Sequence, residues 1–182
     1  MILIDPGIRT FMTGYSNNKK VKIGTNLYET VKKDLDKIDK INTFELNHSL
    51  KNKIKRLYER IKNRVIDLHW KVIDYLTTNY RTIIIGNLST KKIGEGNINK
   101  MVKRVGNMMN LYRFKERLKY RCEYTNTKYK EVNESYTSKC CCKCGNYKKE
   151  LKGEKIYECK KCGLKIDRDI NGAINIGILS CK

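Results

Sequence analysis

The chain has 182 residues, 40% of them apolar, with a single proline and a net charge of +21 from 40 Lys and Arg against 19 Asp and Glu. That length suits one domain, or one domain with a small insert, and buries a core without staples. The composition excludes wholesale disorder, and no repeat at a solenoid period is visible.

The charge is uneven. Residues 1–50 carry 8 basic and 6 acidic side chains, whereas residues 51–182 carry 32 and 13. Such a field attracts polyanions, and neutralisation of phosphates by Lys and Arg drives most non-specific nucleic-acid binding. A lysine-rich coding bias would raise the charge in the same way without selection for binding. A charge arrives already at Asp5, so no signal-peptide core is expected, and no apolar run approaches the roughly 20 residues of a spanning helix. The eight cysteines cluster in metal-ligand spacing. A non-secreted, reducing, intracellular setting with no membrane partner is the expectation.

In chain order, the apolar run at 2–4, stopped by Asp5-Pro6-Gly7, predicts a buried strand and a turn. Residues 10–15 and 20–23 predict two further strands joined at Ser16-Asn17-Asn18. A helix is expected over 27–38 and a longer one over 47–79. In the longer one Ile54, Leu57, Tyr58, Ile61, Val65, Leu68, Val72 and Leu76 paint one stripe. His69 and Trp70 lie on it, and a lone histidine reads as structural. Residues 82–85 predict another strand, 89–100 a loop, 102–124 one basic helix, 129–133 a strand and 170–179 a last helix. This order indicates a mixed α/β domain with a small insert.

The insert is the sharpest feature. Cys141-x-x-Cys144 and Cys159-x-x-Cys162 are separated by fourteen residues. Each C-x-x-C pair aims two sulfurs at one point, and two pairs close a tetrahedral shell typical of structural zinc. Gly145 and Gly163 follow the second cysteine of each pair, where a knuckle turn favours positive φ. Cys140 and Cys142 offer other registers, but only Cys141 with Cys144 matches both the gap and the glycine. A closed four-thiolate shell has no open position for catalysis.

Three acidic positions stand where phosphoryl chemistry would use them: Asp5 at a strand end, Glu134 after the strand before the ribbon, and Asp167-Arg168-Asp169 opening the last helix. Carboxylates gathered this way hold two Mg²⁺ ions in RNase H-like nucleases. Each also has a plainer reading, as a turn residue or a helix N-cap.

Ile4-Asp5-Pro6-Gly7-Ile8-Arg9-Thr10-Phe11 resembles the first RuvC motif of the TnpB transposon proteins and their Fanzor relatives. Tyr136-Thr137-Ser138-Lys139 resembles the lead into that family's zinc ribbon, and 167–176 its third RuvC motif. Asp67-Leu68-His69-Trp70, Tyr75-Leu76 and the strand from Thr82 are also similar. The resemblance spans nearly the whole chain, with the motifs in the family's order. It implies an RNase H-like (RuvC) α/β fold, a mixed sheet with helices and an inserted four-cysteine zinc ribbon. It divides the chain into a nuclease core (1–136), the ribbon (137–165) and a C-terminal helix completing the core (166–182).

The implied activity is RNA-guided DNA cleavage by two-metal hydrolysis, tied to transposition. Catalytic Mg²⁺, structural Zn²⁺, DNA and a guide RNA are the implied cofactors and partners. Asp5 and Asp169 are the implied first and third carboxylates. Where TnpB usually has its second, after the strand at 83–85, this sequence has Gly86 and Asn87. Fanzor-like members resemble it in carrying a rearranged glutamate before the Tyr-Thr-Ser segment, the position of Glu134; Glu95, in a loop, is a poor substitute. Family members also carry a large upstream region, so a truncated or split member is expected, with a separate upstream polypeptide or lobe as a candidate partner. The alternatives are a catalytically inactive zinc-ribbon nucleic-acid-binding protein and a ribosomal-type ribbon protein.

Overall fold

The computed structural model describes residues 1–88, 98–134, 136–149 and 154–181. The loop expected over 89–100, with Glu95, falls mostly outside them; from Lys100 onward the chain is helical.

Strand β1 (Ile2–Pro6) alternates, burying Ile2, Ile4 and Pro6 on one face and turning Leu3 and Asp5 to the other. It pairs antiparallel with β2 (Met12–Ser16), which pairs antiparallel with β3 (Lys19–Ile23). Asn17 and Asn18 make the two-residue connection with φ of +43° and +62°. A tight hairpin needs that handedness, and Asn tolerates it.

Helices α1 (Leu27–Ile41) and α2 (His48–Asn79) follow, and Asn47 caps α2 by accepting from the Leu50 amide at 2.9 Å. Strand β4 (Thr82–Gly86) joins β1 in parallel, as a crossover through helices permits. Helices α3 (Lys100–Met109) and α4 (Leu111–Tyr124) lead to β5 (Lys128–Val132), parallel to β4. The sheet order is β3-β2-β1-β4-β5. Two short strands, β6 (Ile156–Glu158) and β7 (Lys165–Asp167), form the ribbon's own antiparallel pair before helix α5 (Arg168–Ser180). The core between α1–α4 and the sheet includes Ile2, Ile4, Phe11, Ile83, Ile85 and Phe114. Helix α5 covers the opposite face. This is the RNase H-like mixed sheet expected from the motifs. Among the described residues no helix is long and apolar enough to cross a membrane.

Two helical expectations need correction. The single helix over 102–124 is two, because Asn110 adopts φ +47° and ends α3. Its side chain then accepts from the Arg113 amide at 3.3 Å and starts α4, so one residue serves as both caps. In α2, Tyr58 faces solvent at 39% exposure, and His69 takes a buried place on the core-facing stripe. Apolar count alone misassigns both, because His69 is completely partnered. Its Nε2–H donates to the Met109 carbonyl at 3.0 Å, while Nδ1 accepts from Arg117 at 3.2 Å. Its ring stacks on Phe11, with centroids 5.3 Å apart, and meets Phe114 edge-on. The histidine is structural. Asp34 of α1 is likewise buried but paired, held by Arg60 and Arg64 of α2.

Burial, reinforced by the Arg117 charge, lowers the His69 pKa to about 4. The unfolded chain takes up a proton on this residue near the ordinary pKa of 6.5, before the native state does. Stability from His69 is therefore complete above pH 6.5 and lost as pH falls towards 4, by roughly 3 kcal/mol in all. Urea unfolding across this range should show that loss in the wild type and a shallower pH dependence in His69→Gln.

Candidate active site and metal centre

The ribbon is built from two matching knuckles. The Gly145 amide donates to the Cys141 carbonyl and the Gly163 amide to the Cys159 carbonyl, each at 2.9 Å. Both glycines have positive φ, +70° and +69°, as the spacing predicts. Cys141 and Cys162 sulfurs lie 3.6 Å apart, as do those of Cys144 and Cys159, and all four fall within 4.8 Å of one another. Sulfurs about 2.3 Å from a tetrahedral zinc are about 3.8 Å apart, so the four fit one Zn²⁺. Cys140 and Cys142 stand outside the set. Beneath it, buried Tyr157 donates its hydroxyl to the Lys139 carbonyl at 3.3 Å.

The ribbon is fastened to the core by two amides one helical turn apart on α5. The Asn175 side-chain N–H donates to the Thr137 and Cys140 carbonyls at 2.7 and 2.8 Å. Asn171 donates to Cys140 at 2.7 Å, and its oxygen accepts from the Cys142 amide at 3.0 Å. Both asparagines are buried. The sequence carried only a weak sign of this: two Asn at i, i+4 on an otherwise apolar helix face.

The three expected carboxylates come from three different elements. Asp5 is the penultimate residue of β1, Glu134 lies two residues beyond β5, and Asp169 stands in the first turn of α5. The structure brings them together. Asp5 keeps some accessible area, yet protein closely surrounds its carboxyl, and this burial raises its pKa well above the usual range. The charges of Glu134 and Asp169 raise it further, and Arg168 opposes them. Arg168 also hydrogen-bonds the Asp169 carboxylate at 3.1 Å.

Two glycines make room for these groups. A Cβ on Gly172 of α5 would stand 2.6 Å from the Asp5 carboxylate oxygen, so the helix backbone approaches that carboxylate directly. A Cβ on Gly86 would collide with the Glu134 carboxylate. Gly86, at the end of β4, thus leaves vacant the space that the neighbouring segment fills with Glu134. The Asn87 side chain receives the Glu134 amide at 3.4 Å, linking the two segments.

Asp167 is engaged otherwise. Its oxygens cap α5 by accepting from the Asp169 and Ile170 amides at 3.0 and 3.3 Å, and from Lys22 at 2.7 Å. Burial pushes its pKa up, but the Lys22 and amide hydrogen bonds outweigh it and hold the carboxyl below its usual value.

Hard oxygen donors of this kind suit Mg²⁺. Among the described residues, the cysteines are the one group of three or more acidic, His or Cys side chains with all ligand atoms within 4.8 Å. At least one carboxylate pair is therefore wider than that, a looser spacing than a closed single-ion cage. Gathered negative charge, glycine-sized space and an all-oxygen donor set make the three residues fit for divalent ions.

Removing both clamp amides leaves two largely buried carbonyls without donors, at about 1–3 kcal/mol each. Asn171→Ala with Asn175→Ala should lower stability by about 2 kcal/mol or more. In hydrogen exchange, residues 137–142 should lose protection while the β1–β4 amides keep theirs.

Residues 1–95 match the model of the "Probable transposase" family OrfB_IS605, and residues 112–176 that of the "Cas12f1-like, TNB domain". The chain is 37% identical over 187 residues to TnpB-like protein L79 of Acanthamoeba polyphaga mimivirus, covering 95% of this chain and 36% of that protein. TnpB-like protein R854 of the same virus is also 37% identical, covering 95% and 35%. The chain therefore spans little more than a third of these relatives' length. Among solved structures, Cas12f1 in a complex with sgRNA and target DNA superposes with a TM-score of 0.70 at 22% identity, over 97% of this chain and 49% of that one. A Cas12f ternary complex gives 0.63 at 23%, over 97% and 38%. That likeness supports the fold, and the family matches carry the lineage: this chain belongs to the OrfB/IS605 transposase family, as a TnpB-like protein.

Proposed function

We propose that the chain is the RuvC nuclease part of a transposon-associated TnpB/Fanzor-like protein, cutting DNA by two-metal phosphodiester hydrolysis. In this reading 1–136 and 166–182 form the nuclease core, and 137–165 the inserted ribbon. Asp5, Glu134 and Asp169 hold Mg²⁺, and Cys141, Cys144, Cys159 and Cys162 hold a structural Zn²⁺. The observation that carries it is the convergence of three carboxylates from β1, the segment after β5 and α5, with Glu134 seated over Gly86.

Bound Mg²⁺ would supply an activated water and stabilise the leaving oxygen of the phosphodiester. The protein's own share begins with charge. Three carboxylates in one partly buried site repel one another, which favours a cation over water there. Arg168 holds Asp169 by a charge-assisted hydrogen bond and softens that repulsion. The basic surface draws the strand in. DNA is the substrate and a guide RNA the partner; the complexes formed by Cas12f1 support both.

The test is cleavage of single-stranded DNA with and without Mg²⁺, alongside thermal unfolding with and without Mg²⁺. The wild type should cleave and gain stability from the ion. Asp5→Ala, Glu134→Gln and Asp169→Asn should lose both, activity falling by at least the roughly 100-fold that damage to a metal ligand's support causes. Gly86→Ala should match them while remaining folded, because its methyl evicts the Glu134 carboxylate. A wild type that binds DNA but neither cleaves it nor responds to Mg²⁺ would establish the inactive, nucleic-acid-binding alternative.

A further inference from the structure

Two exposed tyrosines, one of them two residues after Glu134, are used by neither the metal sites nor the core. Tyr136 is 63% exposed and Tyr147 45%. Their rings meet edge to face, with centroids 5.8 Å apart. The Lys139 ammonium lies 5.9 Å from the Tyr147 ring centre.

The backbone at Tyr136 is the informative part. Its φ is +66°, in the left-handed region where a bulky side chain is a genuine outlier and glycine is at ease. The turn it sits in closes on the Glu134 carbonyl, which accepts from the Thr137 amide at 3.1 Å. A glycine would make that turn better, and an exposed ring adds little burial. The position thus carries tyrosine against local conformational preference, and such outliers cluster at functional sites.

The mounting is firm. The Tyr136 carbonyl accepts from the Lys139 and Cys140 amides at 2.9 and 3.1 Å. Tyr147 bridges to Cys140, whose carbonyl both clamp asparagines hold. The backbone that carries both rings is thus tied to α5, the helix that carries Asp169.

We propose that Tyr136 and Tyr147, with Lys139 beside them, form a stacking seat for an unpaired base of a single-stranded nucleic acid, aiming the adjoining phosphate at Glu134. Aromatic faces take any base, and a neighbouring ammonium serves the backbone, so the seat recognises single strands without sequence preference. The positioning role rests on the nuclease reading; base binding does not.

The experiment compares binding, without Mg²⁺, of a short fluorescent oligo-dT strand and an abasic strand of equal length to the zinc-loaded chain. The wild type should prefer oligo-dT about fivefold or more. Tyr136→Gly should erase the preference while its unfolding midpoint stays level or rises, the opposite of what loss of a structural residue produces. Tyr147→Ala provides the second, independent arm and should erase it too. Equal affinity for the two strands, no affinity for either, or a preference that survives both substitutions overturns the seat. Asp5-dependent cleavage is scored separately, so failure of the seat and failure of the nuclease reading are told apart.

Discussion

Helix α5 is gripped from both sides, and the site depends on that grip. One side lies so close to β1 that Gly172 meets the Asp5 carboxylate with no side chain between. On the other, Asn171 and Asn175 hold the carbonyls of Thr137 and Cys140. The same helix presents Asp169 from its first turn. Because Glu134 lies three residues before Thr137, the amides also limit where that carboxylate can stand. Buried amide-to-carbonyl bonds suit such a task. They gain little net free energy when made but cost much when broken, so they act as a register pin more than as glue.

The ribbon then reads as the outer half of this clasp. Its sulfurs sit in two knuckles whose backbone bonds repeat each other, and its last strand runs directly into the cap of α5 at Asp167. Lys22 of β3 reaches across to the same Asp167, tying the edge of the main sheet to the junction. Cysteine knuckles, helix cap and carboxylate-bearing helix are therefore mechanically continuous. A four-thiolate set with no open position for a ligand can still bear on the geometry of side chains it never touches.

Much of this was legible in the residues. Cysteine spacing specified the knuckles because each is a local turn closed by its own glycine amide, independent of distant packing. The strand ends near Asp5 and Gly86 were visible because three-residue apolar runs, 2–4 and 83–85, stop abruptly before them. The break at Asn110 was not, because left-handed Asn is tolerated rather than demanded and the packing of α3 and α4 decides it. His69 was read correctly as structural, but its place on the buried stripe was missed, since Met109 and Arg117 supply its partners from other helices. The clamp was invisible for a related reason: its acceptors are backbone carbonyls more than 30 residues away, and carbonyls leave no mark in a sequence.

The vacancy at Gly86 carries a further meaning. Two neighbouring strands end side by side, and the Glu134 carboxylate fills the space beside Gly86. A side chain rooted at 86 and the carboxylate of Glu134 exclude each other. Positions 86 and 134 are thus coupled through one volume: glycine at 86 leaves room for the Glu134 carboxylate, and a methyl there displaces it. The space behaves as a socket with two entrances, one from the end of β4 and one from the segment after β5.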